Sequence, residues 1–311
     1  MRILIMGSGG IGGYYGARLL KAGHDVVFTA RGAHLEAMQA RGLEIRERDG
    51  SSEILPVTAV RFPLDAGGTF DLILVAVKAY DLPEAAQAIA PVVGPETTVV
   101  PLQNGVDSVD VLREVIDVER ILAGTTVLSA TIVAPGVIER LSATTSATIG
   151  EPFGPISARV QKIVRALHAA GLTDCIATDD PQRALWEKFM FLAPLASLNS
   201  ATGLPTVHIR SVPEGLETIL ARQREIRAVG QAEGVNLPDE SAEKVERMVM
   251  GLTDRHTTSM QRDFAAGKRV ELETLAGSVV RRGRKRNVPT PIFTAVYAIL
   301  RAKALSYGGV S

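Results

Sequence analysis

The sequence predicts an α/β chain in two parts, a doubly wound parallel sheet at the N-terminus followed by an all-α C-terminal domain. Three observations predict it. First, a short apolar run, Arg2 to Met6, leads into glycines at positions 7, 9 and 12. Apolar residues at helical spacing follow at Ile11, Tyr14, Tyr15, Ala17 and Leu19, so the unit reads strand, turn, helix. Second, Asp71-Leu-Ile-Leu-Val-Ala-Val77 is apolar on both faces, as a central parallel strand requires. Third, no strand signal appears beyond Asp179-Asp180-Pro181. The domain boundary is therefore placed at residue 179, giving units of 1–179 and 180–311.

Composition narrows the function classes. A chain of 311 residues is long enough for two domains, and 46% hydrophobic residues supply a substantial core. Lys+Arg and Asp+Glu both number 34, so there is no dominant basic field and no nucleic-acid partner is expected. The single Cys175 cannot form an internal disulfide, which suits a reducing cytoplasm. The chain has no apolar run of membrane-spanning length. Its apolar N-terminus runs straight into the glycine turn without a cleavage signal, so neither export nor a membrane partner is expected.

In order, Gly23 closes the first helix and His24 to Arg31 forms the second strand. A helix near His34 to Ala40 precedes strands at Leu43 to Arg48 and Glu53 to Val57, joined through Asp49-Gly50, a hairpin signal. After the Asp71–Val77 strand, Asp81 is read as the cap of a helix through Ala90, and Thr97 to Leu102 as the next parallel strand. Ile121 to Ile149 is broken into short Thr-, Ser- and Val-rich pieces, read as antiparallel strands completing the sheet. A helix over 156–170 and a last strand at 175–177 end the domain. Pro181, behind two acidic residues, opens a long helix. Further helices are predicted from Ser211 to Glu233, Asp239 to Ala265, Val270 to Arg286 and Pro291 to Leu305. The basic run Arg281 to Arg286 is read as a helix end whose cations complement its dipole.

The glycines carry the first chemistry. In a G-x-G-x-x-G turn the first glycine permits the tight bend, the second lets backbone approach a pyrophosphate, and the third packs helix on strand. Gly7, Ser8, Gly9, Gly10, Ile11 and Gly12 are thus the expected dinucleotide loop of a Rossmann-type domain. NAD enzymes place an acid about 20 residues on, for the ribose 2′-hydroxyl. Here that place holds Arg31, whose guanidinium can pair with a 2′-phosphate, so NADP(H) is favoured. Ligands in such sheets bind beyond the carboxyl ends of the strands, where Lys78 and Asn104 lie. In the helical domain Lys188 follows Leu185-Trp186-Glu187 and precedes apolar residues. Partial enclosure there would lower its pKa and suit it to proton donation.

GSGGIGGYYG, Val77-Lys78-Ala79, Gln103-Asn104-Gly105, Leu185-Trp186-Glu187-Lys188, Thr258-Ser259-Met260-Gln261-Arg262-Asp263 and Val270-Glu271-Leu272-Glu273 occur in this order. Together they resemble the ketopantoate reductase (2-dehydropantoate 2-reductase) family over nearly the whole chain. The resemblance implies NADPH-dependent reduction of ketopantoate to pantoate, on the way to coenzyme A. It makes Lys188 the catalytic lysine that polarises and protonates the 2-keto oxygen, and Glu271 a carboxylate that supports activity and helps hold substrate. It places Asn104 and Ser259 on substrate, Asn104 also near the nicotinamide, and Lys78 at the cofactor. The partner implied is a small 2-keto acid, and a homodimer is compatible with the sequence.

The chain departs from the family pattern where asparagines four and eight residues after the lysine would bind the hydroxyl end of pantoate. It has Leu192 and Ala196 there, on the face of Lys188. His256 stands where a further asparagine often precedes the Ser-Met pair, and Asn199 is a candidate to compensate. The alternatives are a reductase of another branched 2-keto acid and a non-catalytic NADP(H)-binding protein.

Overall fold

A computed structural model describes residues 1–253 and 257–309. The chain divides into two compact units, Met1–Gln103 with Asp107–Pro181, and Asn104–Val106 with the chain from Gln182 onward. The short segment 104–106 thus belongs with the helical unit although its flanks do not.

The first unit runs β1 (Arg2–Met6), α1 (Gly10–Lys21), β2 (Asp25–Thr29), α2 (Gly32–Arg41), β3 (Leu43–Arg46), β4 (Ser52–Leu55), β5 (Thr58–Val60), β6 (Leu72–Val75), α3 (Leu82–Ile89), β7 (Thr98–Pro101) and α4 (Ser108–Leu112). The short strands β8 (Ala123–Val127), β9 (Ala130–Ala134), β10 (Val137–Arg140) and β11 (Ser146–Gly150) follow, then α5 (Ala158–Ala169) and β12 (Ile176–Ala177). Five strands form a parallel sheet in the order β5-β2-β1-β6-β7. The chain winds outward from β1 through β2 to β5, then returns to β6 and winds the other way. This doubly wound path reverses between β1 and β6, and ligands bind beyond the carboxyl ends of strands at such a switch point. Ile3, Leu4 and Ile5 of β1 and all of β6 are buried, which is why both read as continuous apolar runs.

Three sequence expectations change here. The pieces between 121 and 149 do not complete the main sheet. They split into β4-β3-β10-β9 and β12-β11-β8, linked to β7 through a bridge between Val99 and Ile121. The predicted hairpin survives as β3 and β4, and β10 lays itself parallel to β3. β5, three residues long, is too brief to register as periodicity, yet it fills the sheet edge beside β2. Asp81 does not cap α3 through its side chain, and a 3₁₀ turn, Ala79–Asp81, leads into the helix instead.

The second unit contains α6 (Pro181–Thr202) from its second residue onward, α7 (Thr206–Arg210), α8 (Pro213–Ala232), α9 (Asp239–Met250), α10 (Ser259–Ala265), α11 (Ser278–Arg286) and α12 (Pro291–Leu305). The single helix predicted over 239–265 is two helices. α9 stops at Gly251, and Thr258 starts α10 by accepting the Gln261 N–H on its hydroxyl at 3.3 Å, an N-cap. The helix predicted from Val270 opens instead with a π-helical turn, Glu273–Gly277, just after Glu271. Such turns are rare and concentrate at functional sites. The basic run ends α11 as expected, with Arg282 and Arg286 paired to Glu233 and Arg281 to Glu273. Among the described residues no helix is long and apolar enough to cross a membrane.

Candidate active site

At the end of β1 the backbone turns through Gly7, whose φ of +95° lies in the left-handed region that side chains avoid. A Cβ there would lie 2.7 Å from Val77, in the loop after β6. Thr29, the last residue of β2, ties this turn down. Its hydroxyl accepts the Gly7 N–H at 2.8 Å and its carbonyl accepts the Ser8 N–H at 3.0 Å. Gly12 brings α1 onto the turn, since a Cβ would sit 2.1 Å from the Gly7 carbonyl oxygen.

What the loop leaves open fits a pyrophosphate. The Ser8 hydroxyl is buried without a partner, no side chain caps α1, and a Cβ on Gly9 would meet nothing within 4 Å. An orphan donor, free helix N–H groups and open volume together suit an anion. Gly10 and Ile11 form the first turn of α1. Arg31 stands at the N-cap position of α2, exposed, with its guanidinium 3.3 Å from Glu84. An exposed pair of this kind is worth about 0–1 kcal/mol, so Arg31 can turn to a phosphate at little cost. Lys78 is half-buried in the loop after β6. Gln103 steadies that loop by donating to the Val75 and Val77 carbonyls at 2.9 and 3.3 Å.

In the helical unit α6 carries Lys188, and the residues beside it are clamped. Trp186 is buried, edge-on to Phe189 at 5.8 Å between ring centroids. It also packs closely on α8, where a Cβ on Gly230 would sit 2.7 Å from the indole. Glu187 accepts from Ser241 at 2.7 Å, Lys244 at 2.5 Å and Arg183 at 3.0 Å. Burial raises the Glu187 pKa, but Lys244, Ser241 and Arg183 outweigh it and hold the carboxyl below its usual range. With its neighbours fixed, the backbone at Lys188 has little freedom to rotate.

The Lys188 side chain is itself half-buried. Burial pushes its pKa from 10.5 down to about 8, against the opposing attraction of Glu271. Glu271 is buried, and Asn104 Nδ2 donates to its Oε2 at 3.4 Å. Gly105, with φ +93°, lets the 104–106 segment lie against Thr274 of the π-helical turn, where a Cβ would fall 2.6 Å from the Thr274 methyl. The second unit therefore gathers an ammonium poised near neutrality, a carboxylate and a carboxamide. Such a set can give a proton to an oxygen that gains negative charge.

The remaining candidates are dispersed. Ser259 is the half-buried first residue of α10. Leu192 is half-buried, whereas Ala196 is fully buried, so Leu192 is the accessible member of the apolar pair. Asn199 does not compensate for the missing asparagines. Its Nδ2 donates to the Leu204 carbonyl at 2.7 Å and its Oδ1 accepts from Thr206 at 3.1 Å, tying α6 to the start of α7. His256 lies outside the described residues. Sequence reasoning gave no role to Thr29, Gln103 and Glu187, polar residues whose partners are set only by the folded chain. Among the described residues no cluster of His, Cys, Asp and Glu side chains could hold a metal ion.

Comparison with known proteins extends these observations. The family model described as "Ketopantoate reductase PanE/ApbA" matches residues 3–153, and its C-terminal counterpart matches residues 180–304. A 2-dehydropantoate 2-reductase of Mesorhizobium japonicum is 32% identical, covering 99% of each chain. The crystal structure of a PanE/ApbA family ketopantoate reductase from Ralstonia eutropha superposes with a TM-score of 0.90 at 30% identity, over 99% of this chain and 100% of that one. A D-mandelate dehydrogenase, solved with NADH and anilino(oxo)acetate, shares the fold with a TM-score of 0.92 at 21% identity, over 99% of both chains.

Proposed function

The chain belongs to the ketopantoate reductase family, and we propose that it reduces ketopantoate to pantoate with Lys188 as proton donor. As a family member it is an oxidoreductase acting on a CH–OH group with NADP(H) as cofactor. The residues that would hold the cofactor are the 7–12 loop at the pyrophosphate, Arg31 at the 2′-phosphate and Lys78 in the loop after β6. When bound, the reduced nicotinamide supplies hydride to the keto carbon. Lys188 hydrogen-bonds the keto oxygen and gives it a proton as negative charge develops there. Glu271 keeps the lysine in its ammonium form against the pull of burial. Asn104 and Ser259 orient the acid. One observation carries this reading: a lysine with a pKa of about 8 interacting with a buried carboxylate that Asn104 also touches.

Leu192 favours a second reading, reduction of a branched 2-keto acid lacking the hydroxyl. An apolar side chain there cannot satisfy a substrate hydroxyl, and an unpaired buried polar group costs about 1–3 kcal/mol, roughly 10–100-fold in efficiency. The fold likeness to D-mandelate dehydrogenase speaks only for the scaffold, so this reading rests on Leu192 itself.

The test is kcat/KM with NADPH for ketopantoate and for its deoxy analogue, on wild type and Leu192→Asn. Turnover of 2-keto acids is expected, with Leu192→Asn moving preference about tenfold towards ketopantoate. Strong wild-type preference for ketopantoate would remove the second reading. NADPH binding without turnover of any 2-keto acid would overturn both.

A further inference from the structure

His34 lies on the first turns of α2, three residues beyond Arg31, and bridges two backbone segments far from it in sequence. Its Nε2 is 2.9 Å from the Ser8 carbonyl oxygen, and its Nδ1 is 2.9 Å from the Gly136 nitrogen. These partners fix the ring's protonation. A backbone N–H can only donate and a carbonyl can only accept, so Nδ1 must be the bare acceptor and Nε2 must carry the hydrogen. Burial pushes the imidazole pKa below its ordinary value, in keeping with a neutral ring.

The bond to Ser8 reaches into the dinucleotide loop itself. In a planar trans peptide the C=O and the following N–H point in opposite directions. Holding the Ser8 carbonyl towards His34 therefore aims the Gly9 N–H away from α2. Gly9 stands at the N-cap of α1, and a Cβ on it would meet nothing within 4 Å, so a ligand can approach this stretch of backbone closely. Thr29 fixes the other two peptides of the turn, through the Gly7 and Ser8 N–H groups, and leaves the Ser8–Gly9 peptide to His34. The far side of the ring is anchored in turn. Gly136 closes the β9–β10 turn with φ +79°, and Arg41 of α2 reaches the adjoining Pro135 carbonyl at 3.4 Å.

We propose that His34 is a positioning residue for the cofactor: its Nε2–H locks the Ser8–Gly9 peptide so that the Gly9 N–H is presented to the pyrophosphate of NADP(H). It touches the loop and not the reacting atoms. The proposal rests on the cofactor and not on the identity of the acid.

Two substitutions separate the two bonds. His34→Asn keeps an acceptor at the near position, for Gly136, but cannot reach Ser8. His34→Gln keeps a donor at the far position, for Ser8, and loses the Gly136 contact. NADPH affinity is read by fluorescence titration in the absence of any keto acid, alongside the melting temperature of each apo protein. The expected result is that His34→Asn weakens NADPH about tenfold, while His34→Gln stays within about threefold of wild type. Equal weakening by both variants, or unchanged affinity in His34→Asn, would overturn the proposal. So would a loss of affinity that follows the melting temperature instead of the Ser8 bond. Because no acid is present, failure here is distinct from failure of the ketopantoate assignment, which the turnover measurements judge.

Discussion

The glycine loop and the Lys188 cluster present polar groups of different kinds. At the loop they belong mostly to the backbone: the free end of α1, the Gly9 N–H, and peptides held by Thr29 and His34. At Lys188 they are charged and amide side chains, Lys188, Glu271 and Asn104, set by burial and by each other. Backbone donors cannot change protonation state, so they suit a pyrophosphate, a group that is held and does not itself react. A half-buried ammonium with a pKa of about 8 can release its proton near neutrality, which suits a group that must change state once per turnover. The difference teaches where substitutions should act on binding and where on chemistry.

The sharpest break is Lys188→Ala. General acid catalysis is typically worth about 10²–10⁴-fold, and kcat should fall by that order while NADPH affinity, read by titration, changes little. Near-normal turnover would show that the lysine is not the acid and that the cluster has been misread.

A smaller effect on the other region comes from Arg31→Asp. Each charge-assisted hydrogen bond lost to a 2′-phosphate costs about 1.5–3 kcal/mol, so NADPH should weaken by about tenfold or more. NADH, which has no such phosphate, should suffer much less. Giving up the exposed contact to Glu84 contributes about 1 kcal/mol or less. Equal losses for the two cofactors would remove Arg31 from the site.

The two regions also differ in how far the sequence exposed them. The loop was legible because a backbone constraint maps onto residue type: a left-handed turn at Gly7 and a contact at Gly12 that no Cβ fits both demand glycine. Lys188 is a candidate from its own apolar surroundings in the sequence, whereas Glu271 enters only through resemblance, since nothing local marks two residues so far apart as partners. What escaped was set by distant pairing. β10 lies along β3, a choice no window of sequence contains, and so the short strands made sheets of their own. The clamp on Glu187 exists only once α9 brings Ser241 and Lys244 to it. Asn199 reads as a candidate ligand in the sequence, but its amide is spent on Leu204 and Thr206. Thr258, by contrast, is a residue type that favours N-caps, set inside the stretch predicted as one helix over 239–265.

The central claim is that Lys188 acts as an acid whose readiness is set by burial against Glu271, and the pH profile of the rate tests it most directly. Burial favours the neutral amine and Glu271 favours the ammonium. Activity in the reduction direction should therefore fall as pH rises through about 8 and the ammonium is lost. In Glu271→Gln the opposing attraction is gone, so the same fall should come at lower pH. The measurement is kcat/KM for the 2-keto acid with saturating NADPH, on wild type and Glu271→Gln across that range. A descending limb near 8 that moves to lower pH in Glu271→Gln is the predicted result. A limb that stays in place, or a wild-type profile that does not descend, would contradict the account.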